Sequence, residues 1–218
     1  MIVAADMAKR ALAASPQTTL PKLTPIRLLE RAAPFDDPDF IFELKYDGFG
    51  AVAYIEHGTA KLISRKRNRY KRFDDLCAGL AGAVKVKDAI IDGEIVCLDD
   101  AGVPRFDWLL HRRHPPSFAA FEPLLERKTA LRKIIPSASP FVLYADFVVD
   151  RGVGLFRAAC ERDLEGIVAK RTEEPYADNL RWVKIKNLGY SQAVGRGEKF
   201  RRGRTRPVPL PVDRRPQS

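Results

Sequence analysis

The sequence has little cysteine and no long hydrophobic run, and each shortage excludes a class of protein. Its 218 residues include three cysteines, Cys77, Cys97 and Cys160, which are far apart and form no CxxC pair. We therefore expect neither a disulfide framework nor a cysteine zinc site, and this cysteine usage is typical of a reducing cytoplasm. No apolar run approaches the roughly 18 residues of a membrane span, and the N-terminus has no signal-peptide core. We therefore expect no membrane-spanning segment.

Acidic residues are scarce relative to basic residues. The chain has 38 lysines and arginines against 28 aspartates and glutamates, which gives a net charge of +10 at pH 7. Such an excess favours a polyanionic partner: nucleic acid, a nucleotide or an anionic membrane. The histidines His57, His111 and His114 show no metal-ligand spacing, so we predict that they lie on the surface or in loops.

Composition divides the chain into three segments. Residues 1–20 have few aromatic residues and are predicted to form a loose leader. Residues 21–194 are long enough to bury the core of one domain. Residues 195–218 are rich in arginine and proline and poor in core-forming residues, so we predict a disordered basic tail.

Hydrophobic periodicity predicts short strands and helices within residues 21–194. The predicted strands are FIFELK, AVAYIE, AKLIS, AIIDGEIVCLDDAG, FVLYADFVV, EGIVAKR and RWVKIKN, and the predicted helices are RFDDLCAGLAGAV, RFDWLLHRR, PLLERKTALRKII and GVGLFRAACERD. The HGT between AVAYIE and AKLIS is typical of a hairpin. This mixture indicates an α+β domain.

Four stretches place charged residues where a strand should bury its side chains. They are residues 45–48 (KYDG), 92–94 (DGE), 165–170 (EGIVAK) and 182–186 (WVKIK). Strand parity puts Glu43 and Lys45 on one face, and likewise puts Lys184 and Lys186 on one face. Several lysines would neutralise a polyphosphate, and two or three carboxylates would hold Mg²⁺, so a site for both is indicated.

Together these stretches resemble the nucleotidyltransferase motifs of ATP-dependent DNA ligases. KYDG resembles motif I, Ser64-Arg65 the short motif after the first hairpin, DGE motif III, EGIVAK motif IV and WVKIK motif V. Any one of these motifs is a weak signal, whereas five in the family's order across residues 22–194 are a specific one. The surrounding sequence is most similar to bacterial ligase D-type and rhizobial short ligases.

The resemblance implies a fold and a reaction. The fold would be an α+β, ATP-grasp-like nucleotidyltransferase domain of two packed antiparallel sheets with flanking helices. The protein would be an ATP-dependent DNA ligase that seals nicks during repair or recombination, with ATP and Mg²⁺ (or Mn²⁺) as cofactors. Lys45 would attack the α-phosphate of ATP, expel pyrophosphate and form a lysyl–AMP. Because an amine attacks as the free base, nearby metal or cationic lysines would have to favour loss of its proton.

The resemblance also implies roles for other residues. Lys184 and Lys186 would join Lys45 as catalytic residues by stabilising charge on the α-phosphate. The implied cofactor-binding residues are Glu43, Arg65, Glu94, Phe121 and Lys170, with Phe121 stacking on adenine and Glu43 near it. The implied metal ligands are Glu94 and Glu165. The implied DNA-binding residues, in the basic run at 65–72, are Arg65, Arg67, Arg69 and Lys71.

The sequence departs from the family pattern at three places. Gly50 stands where motif I usually continues with an arginine that contacts the nucleotide or the nick. The segment after Phe121 is short, so we expect the strand that positions Phe121 to be missing. The residues after motif V are too few and too polar for a five-stranded barrel, so we expect no OB-fold, the domain that closes over DNA in this family. A DNA-repair partner protein could supply that clamping.

Two alternatives stay open at this point. Gly50 and the shortened segment favour a catalytically degenerate, nucleic-acid-binding relic of a ligase, which the retained lysines and glutamates oppose. KYDG alone also fits an RNA ligase or a capping guanylyltransferase. The expected substrate is nicked DNA, and the expected location is a bacterial cytoplasm in association with the nucleoid.

Overall fold

The computed structural model describes residues 20–21, 27–121, 125–173 and 181–193. The side chains of Arg27, Arg181 and residues 125–127 are outside this description. So are the predicted leader (apart from Leu20), the predicted tail and the short segment that follows Phe121. The predictions of a loose leader and of a disordered basic tail therefore lie outside the described residues.

Ten strands and four α-helices make up the described part of the chain. In chain order they are β1 (Arg27–Glu30), β2 (Phe40–Leu44), β3 (Phe49–Glu56), β4 (Thr59–Ser64), α1 (Asp74–Ala83), β5 (Ala89–Val96), α2 (Phe106–His111), β6 (Ser117–Phe121), α3 (Leu125–Ile134), β7 (Val142–Tyr144), β8 (Phe147–Val149), α4 (Gly152–Glu161), β9 (Gly166–Arg171) and β10 (Arg181–Lys186). Two short 3₁₀ helices, Lys71–Phe73 and Ser191–Ala193, complete the description.

The strands form two sheets of five strands each. The first has the order β1-β10-β9-β2-β8, and the second has the order β4-β3-β5-β6-β7. The two larger hydrophobic clusters among the described residues support them. Helix α1 covers the second sheet through Leu76 and Leu80, and α4 covers the first sheet through Ala159. Because each sheet packs its apolar face on its own helices, polar side chains can occupy the space between the sheets.

The hairpin of β3 and β4 follows directly from its sequence. Alternate residues of β3, among them Ala51, Ala53 and Ile55, are buried in the core. The two connecting residues, His57 and Gly58, have φ values of 49° and 75°. Positive φ at both positions of a two-residue turn matches the right-handed twist of the flanking strands, and glycine adopts it without strain.

The α+β class and the two-sheet architecture with flanking helices are as predicted, with one correction. The sheets are mixed, because β1 pairs parallel with β10 and β6 pairs parallel with β7. These pairs join segments that are distant along the chain or separated by helix α3. Local alternation of polar and apolar residues does not reveal such pairing.

Two predictions about individual strands were wrong. FVLYADFVV forms two short strands, β7 in the second sheet and β8 in the first, because the chain changes sheets at Ala145 and Asp146. The strand that positions Phe121 is present: β6 ends at Phe121, which pairs with Asp92 of β5.

Within the described ranges, every helix is too short or too polar to cross a bilayer.

Candidate functional site

A cavity of about 650 Å³ opens between the two sheets. Nine residues singled out from the sequence line it: Glu43, Lys45, Arg65, Glu94, Phe121, Glu165, Lys170, Lys184 and Lys186. They come from β2, β5, β6, β9, β10 and the loops next to β2, β4 and β9. The fold therefore gathers residues spread over more than half of the chain into one space.

Lys45 and Glu165 form an ion pair in this cavity. The Lys45 Nζ lies 2.6 Å from a carboxylate oxygen of Glu165, and both side chains are largely buried. The backbone holds the two residues together, since the Lys45 N–H donates to the carbonyl oxygen of Gly166 at 2.9 Å. Gly166 has a φ of 138°, and a Cβ there would lie 2.0 Å from the carbonyl oxygen of Ile185. Glycine is therefore required beside Glu165.

The loop that carries Lys45 rests directly on strand β5. A Cβ at Gly48 would lie 2.1 Å from the carbonyl oxygen of Ile95 and 2.9 Å from Cγ of Glu94. The absence of a side chain at Gly48 thus brings the Lys45 loop against Glu94. This contact joins the first and third motifs, one from each sheet.

Burial raises the pKa of Glu94 to about 7. The charges of Lys45 and Arg65 oppose this rise, whereas the carboxylates of Glu165 and Asp92 add to it. These four groups are therefore close enough to Glu94 to act on its charge. A carboxylate that is partly protonated at neutral pH gains from a cation placed beside it.

Lys184 and Lys186 share one partner that the sequence did not indicate. Oε2 of Glu30 lies 3.1 Å from the Nζ of each lysine. The two lysines lie on one face of β10, and β1 pairs parallel with β10 so that Glu30 is beside Lys184. Hydrogen bonds from Lys186 and Lys184 lower the pKa of Glu30. Glu30 could not be found from spacing, because it precedes the first motif and depends on strand register.

Glu43, in the wall of the cavity, forms ion pairs with two lysines. Its carboxylate oxygens lie 2.5 Å from the Nζ of Lys170 and 2.5 Å from the Nζ of Lys128, and all three side chains are buried. Burial lowers the pKa of Lys128, and the charge of Glu43 opposes that shift. Lys128, on helix α3, was missed because a lysine on an amphipathic helix usually faces solvent. Two ammonium groups thus hold the carboxylate of Glu43.

Aromatic side chains also line the cavity, among them Tyr46, Phe121 and Trp182. The rings of Tyr46 and Phe121 are 6.1 Å apart between centroids. The ammonium of Lys170 lies 4.1 Å from the ring centroid of Trp182 and 5.0 Å from that of Phe121. Trp182 is both nearly buried and part of the cavity wall.

Asp47 of the KYDG motif has a buried partner from the end of the described chain. The hydroxyl of Tyr190 donates to Oδ2 of Asp47 at 2.9 Å. Burial and the nearby Glu165 raise the pKa of Tyr190, so its hydroxyl stays protonated as the donor. Tyr190 lies beyond the last motif, so motif spacing gave no signal for it.

The basic run that follows β4 is exposed, and part of it lines the cavity. The side chains of Arg65, Arg67, Arg69 and Lys71 are all exposed, and Arg65 also lines the cavity. Arg69 pairs with Asp74 at 2.8 Å, which offsets part of its charge. Arg67, Arg69 and Lys71 do not line the cavity, so any DNA contact they make lies outside it.

Comparison with known families gives one match. Residues 24–120 match the family model described as ATP dependent DNA ligase domain. The DNA ligase-like protein LigB, derived from the SPbeta prophage of Bacillus subtilis, is 28% identical over 195 residues, covering 79% of this chain and 70% of LigB. The multifunctional non-homologous end joining DNA repair protein LigD of Mycobacterium tuberculosis is 28% identical over 169 residues. That match covers 70% of this chain and 22% of LigD, so the chain corresponds to about a fifth of LigD.

Solved structures show the same fold. The ligase domain of M. tuberculosis LigD superposes with a TM-score of 0.57 at 24% identity, covering 73% of this chain and 58% of that domain. A mycobacterial DNA ligase D complexed with ATP superposes with a TM-score of 0.55, again at 24% identity, covering 59% of that chain. Two mixed sheets with flanking helices are therefore the ligase-domain architecture.

Proposed function

We propose that this chain transfers AMP from ATP through Lys45 to a 5′-phosphate at a DNA nick and then seals the strand. The match of residues 24–120 to the model described as ATP dependent DNA ligase domain supports this reaction class. The observation that supports the proposal is the ion pair of Lys45 and Glu165 in a cavity lined by Lys184 and Lys186. Nucleophilic attack on a phosphate needs an amine, a carboxylate beside it that can accept a proton, and cations that stabilise the developing negative charge.

The first step would be attack of the Lys45 Nζ on the α-phosphorus of ATP. A bond forms between nitrogen and phosphorus, the bond from the α-phosphorus to the bridging oxygen breaks, and pyrophosphate leaves. The Glu165 carboxylate, 2.6 Å from Nζ, is placed to take the proton that the amine must lose. Lys184 and Lys186 would balance the negative charge that develops on the phosphate oxygens.

The next two steps would use the same phosphorus chemistry. An oxygen of the 5′-phosphate at the nick attacks the AMP phosphorus and releases Lys45. The 3′-hydroxyl then attacks the 5′-phosphorus and loses its proton to solvent. The bond from that phosphorus to AMP breaks, AMP leaves and the strand is sealed. Tyr46 and Phe121 are suited to hold adenine by stacking, since both aromatic rings line the cavity.

Glu94 and Glu165 would hold Mg²⁺ or Mn²⁺. Both carboxylates line the cavity, and the charge of Glu165 acts on Glu94. Among the described residues no group of three or more histidine, cysteine, aspartate or glutamate side chains could hold a metal by itself. Two carboxylates fit Mg²⁺, which proteins usually bind through one or two carboxylates together with substrate phosphates. The ion would supply positive charge for the phosphates.

Nicked DNA would meet the protein at the mouth of the cavity. Arg65 is exposed both to the cavity and to solvent, and Arg67, Arg69 and Lys71 continue the positive surface away from it. Such contacts to the phosphate backbone are independent of sequence and sensitive to salt. A DNA-repair protein that clamps the duplex, and association with the bacterial nucleoid, belong to the same proposal.

The proposal is tested by sealing of a nicked duplex carrying a labelled 5′-phosphate, with ATP and magnesium. We expect sealed DNA and an adenylated DNA intermediate, no product from nicked RNA, and no activity with GTP. DNA binding without either product would instead indicate a nucleic-acid-binding relic. Sealing of RNA alone, or use of GTP, would indicate another nucleotidyltransferase of the superfamily.

A further inference from the structure

Glu30 holds the two lysines that are proposed to bind phosphate. Its Oε2 atom lies 3.1 Å from the ammonium of Lys184 and 3.1 Å from the ammonium of Lys186. Lys184 and Lys186 line the cavity, whereas Glu30 is not among the lining residues. The carboxylate therefore holds both ammonium groups from outside the space that a nucleotide would occupy.

The backbone fixes Glu30 at this place. Strand β1 pairs parallel with β10 with Glu30 in register with Lys184, and the N–H of Arg31 donates to the carbonyl oxygen of Lys184 at 3.0 Å. One oxygen shared by two ammonium groups is also the arrangement that a phosphate oxygen would adopt between them. The carboxylate of Glu30 thus makes the same ion pairs with Lys184 and Lys186 that a phosphate group of the proposed ligand would make.

We propose that Glu30 competes with the phosphates of the nucleotide for Lys184 and Lys186 and so sets the affinity of the cavity for polyphosphate. This inference rests on the proposed nucleotide site. With Glu30 in place the three groups carry a net charge of +1, and without it the lysines carry +2. The side chain of Glu30 is 53% exposed, so it can turn into solvent when a phosphate arrives.

The test compares Glu30→Gln with the unaltered protein in equilibrium binding of ATP, inorganic tripolyphosphate and adenosine, without divalent metal. Glutamine keeps the size of the side chain and removes its charge. We expect ATP and tripolyphosphate to bind roughly 2- to 30-fold more tightly to the variant, since two exposed ion pairs no longer oppose them. Adenosine, which has no phosphate, should bind with unchanged affinity.

Glu161→Gln is the matched control. Glu161 is an exposed glutamate at the end of α4 and does not line the cavity, so its variant loses the same charge at a different place. We expect Glu161→Gln to bind all three ligands like the unaltered protein. Glu30→Asp, which keeps the charge but shortens the side chain, should give a smaller gain than Glu30→Gln.

Unchanged or weaker binding of ATP by Glu30→Gln would overturn the inference, because Glu30 would then position the lysines or have no effect on them. An equal gain for adenosine would also overturn it, since the effect would not involve phosphate. Labelling of the unaltered protein by ATP is measured separately. Normal labelling with an unchanged affinity in Glu30→Gln contradicts the inference and leaves the proposed function standing. A protein that binds neither ATP nor tripolyphosphate contradicts both.

Discussion

The guanidinium of Arg65 lies against the backbone of Gly50. A Cβ at position 50 would be 3.3 Å from Nε and 3.7 Å from Cζ of Arg65. The resemblance to ligases leads one to expect an arginine at position 50. The cation from the loop after β4 therefore occupies the space beside β3 where that side chain would begin.

The first prediction is that Arg65 makes its own contact with the nucleotide or the nick and also replaces the contact of the arginine expected at position 50. Arg65→Ala should slow single-turnover sealing of nicked DNA by about 10- to 100-fold, the usual effect of losing one charge-assisted contact. Adding Gly50→Arg to Arg65→Ala should restore part of the loss, because the three atoms nearest to a Cβ at position 50 all belong to the Arg65 side chain that the first change removes. Arg67→Ala, a change on the same loop outside the cavity, is the control and should have a smaller effect. A double variant no faster than Arg65→Ala would contradict the prediction.

The second prediction concerns the burial of Glu94. Its pKa in the folded protein is about 7, above the ordinary value of 4.5. Below pH 4.5, a carboxyl group with such a raised pKa does not reduce the free energy of unfolding. Between pH 4.5 and 7 it reduces the free energy of unfolding increasingly, and above pH 7 the reduction is largest. Glu94→Gln should therefore raise the free energy of unfolding at pH 8, by at most about 3 kcal/mol, and change it little at pH 4.5.

Denaturant unfolding in the presence of a metal chelator measures this effect of Glu94→Gln. Glu161→Gln, an exposed change of the same kind, should leave the free energy of unfolding unchanged at both pH values. Equal stability of the Glu94 variant and the unaltered protein at pH 8 would contradict the prediction, because ionisation of Glu94 would then not destabilise the folded protein. Loss of AMP transfer in the same variant would then have to be explained by ligand contacts alone.

The third prediction is that Tyr190 positions the loop that carries Lys45. Tyr190→Phe removes the hydrogen bond to Asp47, a buried carboxylate two residues after Lys45. The free energy of unfolding should fall by about 1–3 kcal/mol, and AMP transfer should slow while the dissociation constant of ATP stays the same. Tyr70→Phe is the control, because its hydroxyl makes a longer bond of 3.4 Å to a carbonyl oxygen. An ATP affinity that falls together with the rate would argue against positioning.

The fourth prediction separates the members of the buried lysine–glutamate cluster. Glu43→Gln leaves Lys128 and Lys170 buried without their shared counter-ion, and it should cost about 3–5 kcal/mol of unfolding free energy. Lys128→Met should cost less, because Glu43 keeps Lys170 and methionine fills a similar volume. Urea unfolding of the two variants gives the comparison. A Lys128 variant as unstable as the Glu43 variant would mean that Glu43 needs both cations.

Much of the candidate site could be predicted from the sequence, because its charged residues stand inside strand patterns. A lysine at the end of β2 and a glutamate in β5 interrupt apolar runs, and each interruption marks a side chain that faces the cavity. Only the structure shows that Lys45 contacts Glu165, since 120 residues separate them in the sequence. The functional roles of these residues remain predictions.

The remaining contacts of the site depend on which strands pair and in which register. Neither the pairing nor the register can be predicted from composition. Glu30 reaches Lys184 only because β1 is parallel to β10, and Tyr190 reaches Asp47 only because the chain turns back after β10. Lys128 is one of several basic residues of helix α3, and the sequence does not distinguish this buried lysine from the exposed ones. The SFAAF strand was missed because its alanines give almost no alternation of polar and apolar residues.

The most direct test of the account is transfer of label from α-³²P-ATP to the purified protein with magnesium, followed on a denaturing gel beside Lys45→Ala. We predict a labelled band that survives denaturation in the unaltered protein and is absent from the variant, because the AMP is bound covalently to Lys45. A folded protein that binds nicked DNA and takes up no label would contradict the account. So would equal labelling of Lys45→Ala.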